Sequence, residues 1–195
     1  RNPDLDGYSC AVAYAELLCV QGNEAEAHVW GEPQLEAQWI VETFDLLRAA
    51  GEVFWDDEVV LLDCSNPEDL PAPLKLDQVV EVIDHHLLNR GSLFVNATLQ
   101  IEPVGAAATL VAERFKQVGA DPSKGAAFLL LGGILSNTDN LTKMTTPRDQ
   151  EMAKWLRRLK KGDQSAFLPF YEKTAPGLMR FLLWKTGGDR PLSED

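Results

Sequence analysis

Histidine is scarce in this chain: its 195 residues hold three. Positive charge is short as well, with 18 Lys and Arg against 30 Asp and Glu and a formal net charge of -12. That balance argues against a nucleic-acid backbone binder, which needs a basic stripe along one face. Small anionic substrates stay open, because bound divalent cations reverse a local negative field. The three cysteines, Cys10, Cys19 and Cys64, stand at irregular spacings. Neither a disulfide framework nor a zinc knuckle follows, and a reducing cytoplasm is the expected setting. The longest apolar run, Ala126 to Leu131 continued by Gly132-Gly133-Ile134-Leu135, is too short and too broken by glycine for a membrane span. No signal peptide, internal repeat or low-complexity segment is visible. What remains is an ordinary globular composition, 45% apolar and 25% charged, long enough for one large domain with a real core.

The chain opens on Arg1-Asn2-Pro3-Asp4-Leu5-Asp6-Gly7, turn chemistry running straight into a helix expected over Tyr8 to Val20 and stopped by Gly22. A strand should feed that loop, and it is expected upstream of Arg1. A short strand is expected over Glu26 to Trp30, and a helix over Pro33 to Ala50. Val59-Val60-Leu61-Leu62 and Val79-Val80-Glu81-Val82-Ile83 read as buried strands, with one more expected within Ser92 to Ile101. Helices are then expected over Val104 to Val118, Pro122 to Leu135, and Pro147 to Lys160, with Pro147 at a first helical position. The expected fold is α/β, a doubly wound, mostly parallel sheet with helices on both faces, because the strands are continuously apolar and alternate with helices. Ligands of such sheets collect at the carboxyl ends of the strands.

Acidic residues and two of the histidines stand at those ends. Asp4 and Asp6 precede the first helix, Asp63 closes one strand, and Asp84-His85-His86 closes another. Each has an ordinary reading: Asp6 as a helix cap, Asp63 as a turn former, the histidine pair as a surface turn. Gathered at one sheet edge, however, the carboxylates would repel one another unless a cation sat between them. Carboxylate and imidazole donors suit manganese, cobalt, magnesium or zinc better than calcium. Two such ions about 3.5–4 Å apart form a hydrolytic centre for phosphoryl groups.

The strings NPDLDG, VVLLDC, VIDHH and IEPVGAAATL, in this order and spacing, resemble the DHH phosphoesterase superfamily. Within it they resemble the manganese-dependent inorganic pyrophosphatase and exopolyphosphatase (prune-like) branch. The resemblance covers about Arg1 to Leu159 and implies a DHH-type domain over residues 1–162, followed by a helical extension over 163–195 rather than a full second domain. It implies two manganese (or cobalt or magnesium) ions, with Asp4 on one, Asp6 and His85 on the other, and Asp63 bridging. Asp84 would orient an imidazole, and His86 would face the phosphate as donor or general acid. The implied reaction is attack by a metal-bridged hydroxide on pyrophosphate or a short polyphosphate.

Three departures from the family accompany these matches. Its first-motif histidine would fall before Arg1. Asn137, in Ser136-Asn137-Thr138-Asp139-Asn140, stands where the family has a metal-binding Asp. It is either a weakened ligand through its carbonyl oxygen or a plain helix terminus, with Asp139 as the alternative ligand if the backbone shifts. Beyond Lys161 there is no basic substrate motif, which leaves Lys143 and Arg148 as candidate substrate cations, although a helix-start Arg is usually just solvated. A phosphodiesterase acting on short oligonucleotides or cyclic dinucleotides is the alternative enzyme, and a non-catalytic binding or assembly module the alternative class. A small phosphate-containing substrate, no large nucleic acid, no membrane, and a possible homodimer through an apolar tail (Leu178 to Trp184) complete the expectations.

Overall fold

The computed structural model describes residues 3–31, 34, 35, 37, 38, 58–71 and 74–159. Most of the helix expected over Pro33 to Ala50, and the whole tail from residue 160, lie outside the described residues.

Three strands, β1 (Val59–Leu62), β2 (Val79–Asp84) and β3 (Thr98–Ile101), form one sheet in the order β1-β2-β3, parallel throughout. β2 is paired on both edges and is the most buried of the three: Val79, Val82 and Ile83 are fully buried. The register places Leu62 beside Ile83 and Asp84 beside Ile101. One residue further on, Asp63 N–H still donates to Ile83 O at 2.9 Å. Asp63 and Asp84 therefore leave the sheet at the same carboxyl edge.

Helices α1 (Leu5–Val20), α2 (Ala107–Val118), α3 (Lys124–Asn137) and α4 (Pro147–Leu159) follow the apolar pattern closely. One core holds Tyr14 and Leu17 of α1, Leu110 and Phe115 of α2, Leu130 and Ile134 of α3, Leu156 of α4, and Ile83 of the sheet. On the opposite sheet face, among the described residues, Leu61, Val79 and Val82 meet Phe94, Trp30, Leu70 and Leu74 from connecting segments. No helix of the described residues is long and apolar enough to cross a membrane. Several element boundaries differ from the sequence expectation, α1 starting at Leu5 instead of Tyr8 and α2 at Ala107 instead of Val104. β3 starts only at Thr98, after a one-turn helix over Gly91–Leu93, so Asn96 lies in the turn before it. The segment Glu26 to Trp30 makes a single bridge at His28 instead of a strand. α3 starts at Lys124 because Ser123 takes the N-cap position, its hydroxyl accepting from Ala126 N–H at 3.2 Å.

The start of α2 matters most for the site. Its N-cap is Ala106, which has no side-chain oxygen to satisfy the first N–H groups. Asp6 of α1 supplies the cap from across the fold: its two carboxylate oxygens accept from Ala107 N–H and Ala108 N–H, each at 2.8 Å. Gly133 permits that approach. A Cβ there would lie 2.5 Å from Ser9 Oγ and 3.2 Å from the Asp6 Cα, so only glycine lets α3 pack against the first turn of α1.

Candidate metal centre

Asp4 caps α1, accepting from Gly7 N–H at 3.0 Å. Asp63 leaves β1 with a left-handed backbone (φ 56°), uncommon for a residue with a Cβ. Its carboxylate is nine-tenths buried, and its Oδ1 has no hydrogen-bond partner. An ionised buried oxygen left this way is costly, and a cation is the usual remedy.

His85 and His86 approach that oxygen from the end of β2. The Nδ1 of His85 lies 3.1 Å from Val104 O; a carbonyl only accepts, so Nδ1 carries the proton. Nε2 then faces inward, 3.4 Å from Asp63 Oδ1 and 3.8 Å from Asp6 Oδ2. The Nδ1 of His86 sits 2.7 Å from Asp84 Oδ1 and 3.7 Å from Asp63 Oδ1, with the ring about half exposed. Asp84 itself is fully buried and also accepts from the Ser65 hydroxyl and from the backbone N–H of His85 at 2.7 Å. Asp63, His85 and His86 each offer a ligand atom, all within 4.8 Å of one another. These donors fit a hard or borderline divalent cation.

A cleft of about 310 Å³ opens onto this edge, lined among others by Asp4, Asp63, Asp84, His86, Cys64 and His28. Among the described residues no Lys or Arg lines it. His28, the third histidine, carries no sequence signal because it stands alone in a segment with no motif around it. Burial pushes the Cys64 thiol up to about 11, which keeps it a neutral lining group.

The remaining expected residues are placed as follows. Asn137 ends α3 and turns its amide nitrogen, not its carbonyl oxygen, toward the cluster: Nδ2 lies 3.0 Å from Asp6 Oδ2, 3.2 Å from His85 Nε2 and 3.2 Å from Gly105 O. Lys143 and Asp139 pair with each other at 2.7 Å. Arg148 is held by Glu113 at 2.5 Å and by Glu102 at 2.6 Å. Neither cation reaches the cleft lining, so the expectation that they bind substrate is corrected: opposite charges on neighbouring helices and loops engage them instead. Asp139 is likewise turned to Lys143 and not to the cluster.

The electrostatics record an excess of negative charge. Burial, then Asp63 and Asp4, push Asp6 up to about 8, against the pull of the Ala108 N–H. Burial also pushes Asp63 up, against the downward pull of the His85 ring beside it. For His85 burial acts downward, but Asp63 and Asp6 outweigh it and bring the ring to about 9. His86 is raised first by its bond to Asp84. All four groups hold protons more tightly folded than unfolded, so the stability they contribute is present at low pH and lost as pH rises from about 4 to about 9. The metal-free protein is expected to melt at a lower temperature at pH 9 than at pH 5, and saturating manganese to restore most of the difference at high pH. Thermal denaturation with and without chelator checks this; a metal-free melting temperature that rises over that range would refute it.

Residues 1–134 match the profile described as DHH family, N-terminal domain. A protein of Shouchella clausii assigned as a manganese-dependent inorganic pyrophosphatase is 34% identical over 166 residues, covering 82% of this chain and 52% of that protein. One of Deinococcus radiodurans with the same assignment is 34% identical over 155 residues, covering 78% and 49%. The chain thus spans about half the length of the curated relatives it matches. A crystal structure from Methanococcus jannaschii, assigned as a family II inorganic pyrophosphatase, superposes with a TM-score of 0.63 at 24% identity, over 80% of this chain and 53% of that one. That likeness carries the fold.

Proposed function

Because the chain belongs to the DHH family, we propose that it is a manganese-dependent phosphohydrolase cleaving a phosphoanhydride, pyrophosphate or a short polyphosphate, at the cleft lined by Asp4, Asp63 and His86. The observation that carries this reading is the buried, partnerless Oδ1 of Asp63 facing two imidazoles. The pyrophosphatase assignments of the relatives support the substrate class, and three free cysteines support a cytoplasmic setting. Cobalt and magnesium suit the same donors.

A divalent cation bound there supplies charge to the phosphoryl oxygens and lowers the pKa of water. The protein's residues do the rest. With no Lys or Arg lining the cleft among the described residues, a polyanion depends on the cation and the imidazoles for its charge balance. Asp84 fixes Nδ1 of His86 and raises its pKa, so the half-exposed ring is kept as a proton donor to a phosphate oxygen or leaving group. Val104 O fixes the tautomer of His85, aiming Nε2 at Asp63. A second reading, a phosphate-binding module without turnover, is favoured by Asn137, which removes one negative charge from the cluster.

Phosphate release from pyrophosphate, tripolyphosphate and a dinucleotide is to be measured with manganese, cobalt or magnesium, alongside elemental analysis. Release from the first two only is expected. Release from the dinucleotide alone would replace the reading with a phosphodiesterase; no release with bound metal would select the binding module; no release and no bound metal would overturn the proposal.

A further inference from the structure

Asp6 has no room for an ion. An ionised carboxylate offers about four lone-pair positions. In Asp6 the backbone N–H groups of Ala107 and Ala108 take one on each oxygen, at 2.8 Å. Asn137 Nδ2 takes another on Oδ2 at 3.0 Å, and the Cys10 thiol approaches Oδ1 at 3.6 Å. All four neighbours are donors. The same amide nitrogen donates to Gly105 O at 3.2 Å and lies 3.2 Å from His85 Nε2, so its two hydrogens are taken by Asp6 Oδ2 and Gly105 O. Asp6 itself is fully buried, whereas Asp63 and His86 line the cleft.

From these contacts we infer that the chain binds one divalent cation, against Asp63 and His85, and that the amide of Asn137 occupies the corner where Asp6 would hold a second. The inference rests on the proposed metal-dependent reading and narrows it: the expected pair of ions becomes one, and Asn137 becomes the residue that sets the number. Replacing the amide with a carboxylate reverses both features. It removes the N–H₂ from Asp6 Oδ2 and adds a negative donor beside it, so the corner gains two oxygen ligands and the charge to hold a second ion.

Manganese stoichiometry tests this on the chain and on Asn137→Asp, by elemental analysis after gel filtration and by electron paramagnetic resonance, which separates an isolated ion from an exchange-coupled pair. One ion per chain with an isolated-ion spectrum is expected for the parent, and two with a coupled spectrum for Asn137→Asp. Two ions on the parent would overturn the inference and leave the metal-dependent reading standing. No ion on the parent would overturn both. One ion on both chains would show that Asn137 does not set the number and would also overturn it. If Asn137→Asp does not fold, the parent's count decides alone: one supports, none or two refutes.

Discussion

Asp63→Asn is expected to lower manganese affinity by more than about a hundredfold and, in the same protein, to raise the melting temperature of the metal-free form. Both effects come from one atom. Oδ1 of Asp63 is buried without a partner and faces His85 Nε2 at 3.4 Å and His86 Nδ1 at 3.7 Å. Losing even an outer partner of a metal ligand typically costs about 10–100-fold in affinity, and removing a charged ligand should exceed that. Without metal the balance reverses, since the neutral amide removes an unpaired buried charge and its N–H₂ can donate to an imidazole nitrogen. An uncompensated buried polar group costs about 1–3 kcal/mol, which is the size of the stabilisation expected. Isothermal titration with manganese and chelator-treated thermal melts read the two effects separately. Unchanged manganese affinity, or retained phosphate release, would remove Asp63 from the centre.

Asp149→Ala is expected to destabilise the fold by about 3 kcal/mol or more, since it strands several buried donors at once. Asp149 is fully buried in the first turn of α4, yet the sequence marks it only as an acidic residue after Pro147. It accepts from Gly105 N–H at 2.9 Å, from the Thr109 hydroxyl at 2.5 Å, and from the N–H and hydroxyl of Thr146 at 2.6 Å each. Gly105 is packed tightly into this clamp: a Cβ there would lie 2.5 Å from Thr138 Cγ2 and 2.9 Å from Asp149 Oδ2. The turn it clamps carries Val104 O, which sets the His85 tautomer, and Gly105 O, which receives the Asn137 amide. Chemical denaturation gives the magnitude. A loss under about 1 kcal/mol would show that water replaces the carboxylate and that the clamp is not buried as described.

Much of the site was legible because its residues act through local sequence. Asp84-His85-His86 follows a continuous apolar strand, and a strand end delivers its side chains to the sheet edge whatever the rest of the chain does. Asp63 is the same case on the neighbouring strand. Asp4 stands before the first helix as read, capping it, whereas the helix starts earlier than expected and takes Asp6 into its first turn. Which helix Asp6 caps was not legible, because the N–H groups it satisfies, those of Ala107 and Ala108, are distant in the chain and follow an N-cap alanine with no oxygen of its own. The substrate roles expected for Lys143 and Arg148 failed for a similar reason. Spacing shows that a cation is near a motif but not which carboxylates fold against it, and here Asp139, Glu102 and Glu113 do. His28 carried no signal at all, since a lone histidine becomes part of a cleft only when the fold brings its segment to the lining it shares with Asp63 and His86.

By itself the sequence determined the parallel α/β order of elements, the apolar strands and helices that build it, and the presence of carboxylates and imidazoles at strand ends. These follow from short-range rules: periodicity, caps, and the alternation of strand and helix. Only the tertiary structure decided how those side chains are occupied. It left Asp63 Oδ1 without a partner, surrounded Asp6 with donors, and turned the Asn137 amide inward. Hydrogen-bond capacity is a local property of each group, but whether it is filled depends on contacts between residues far apart in the chain. That is why the cluster reads from the sequence as a two-ion centre, while the one-ion inference comes from contacts that only the fold brings together.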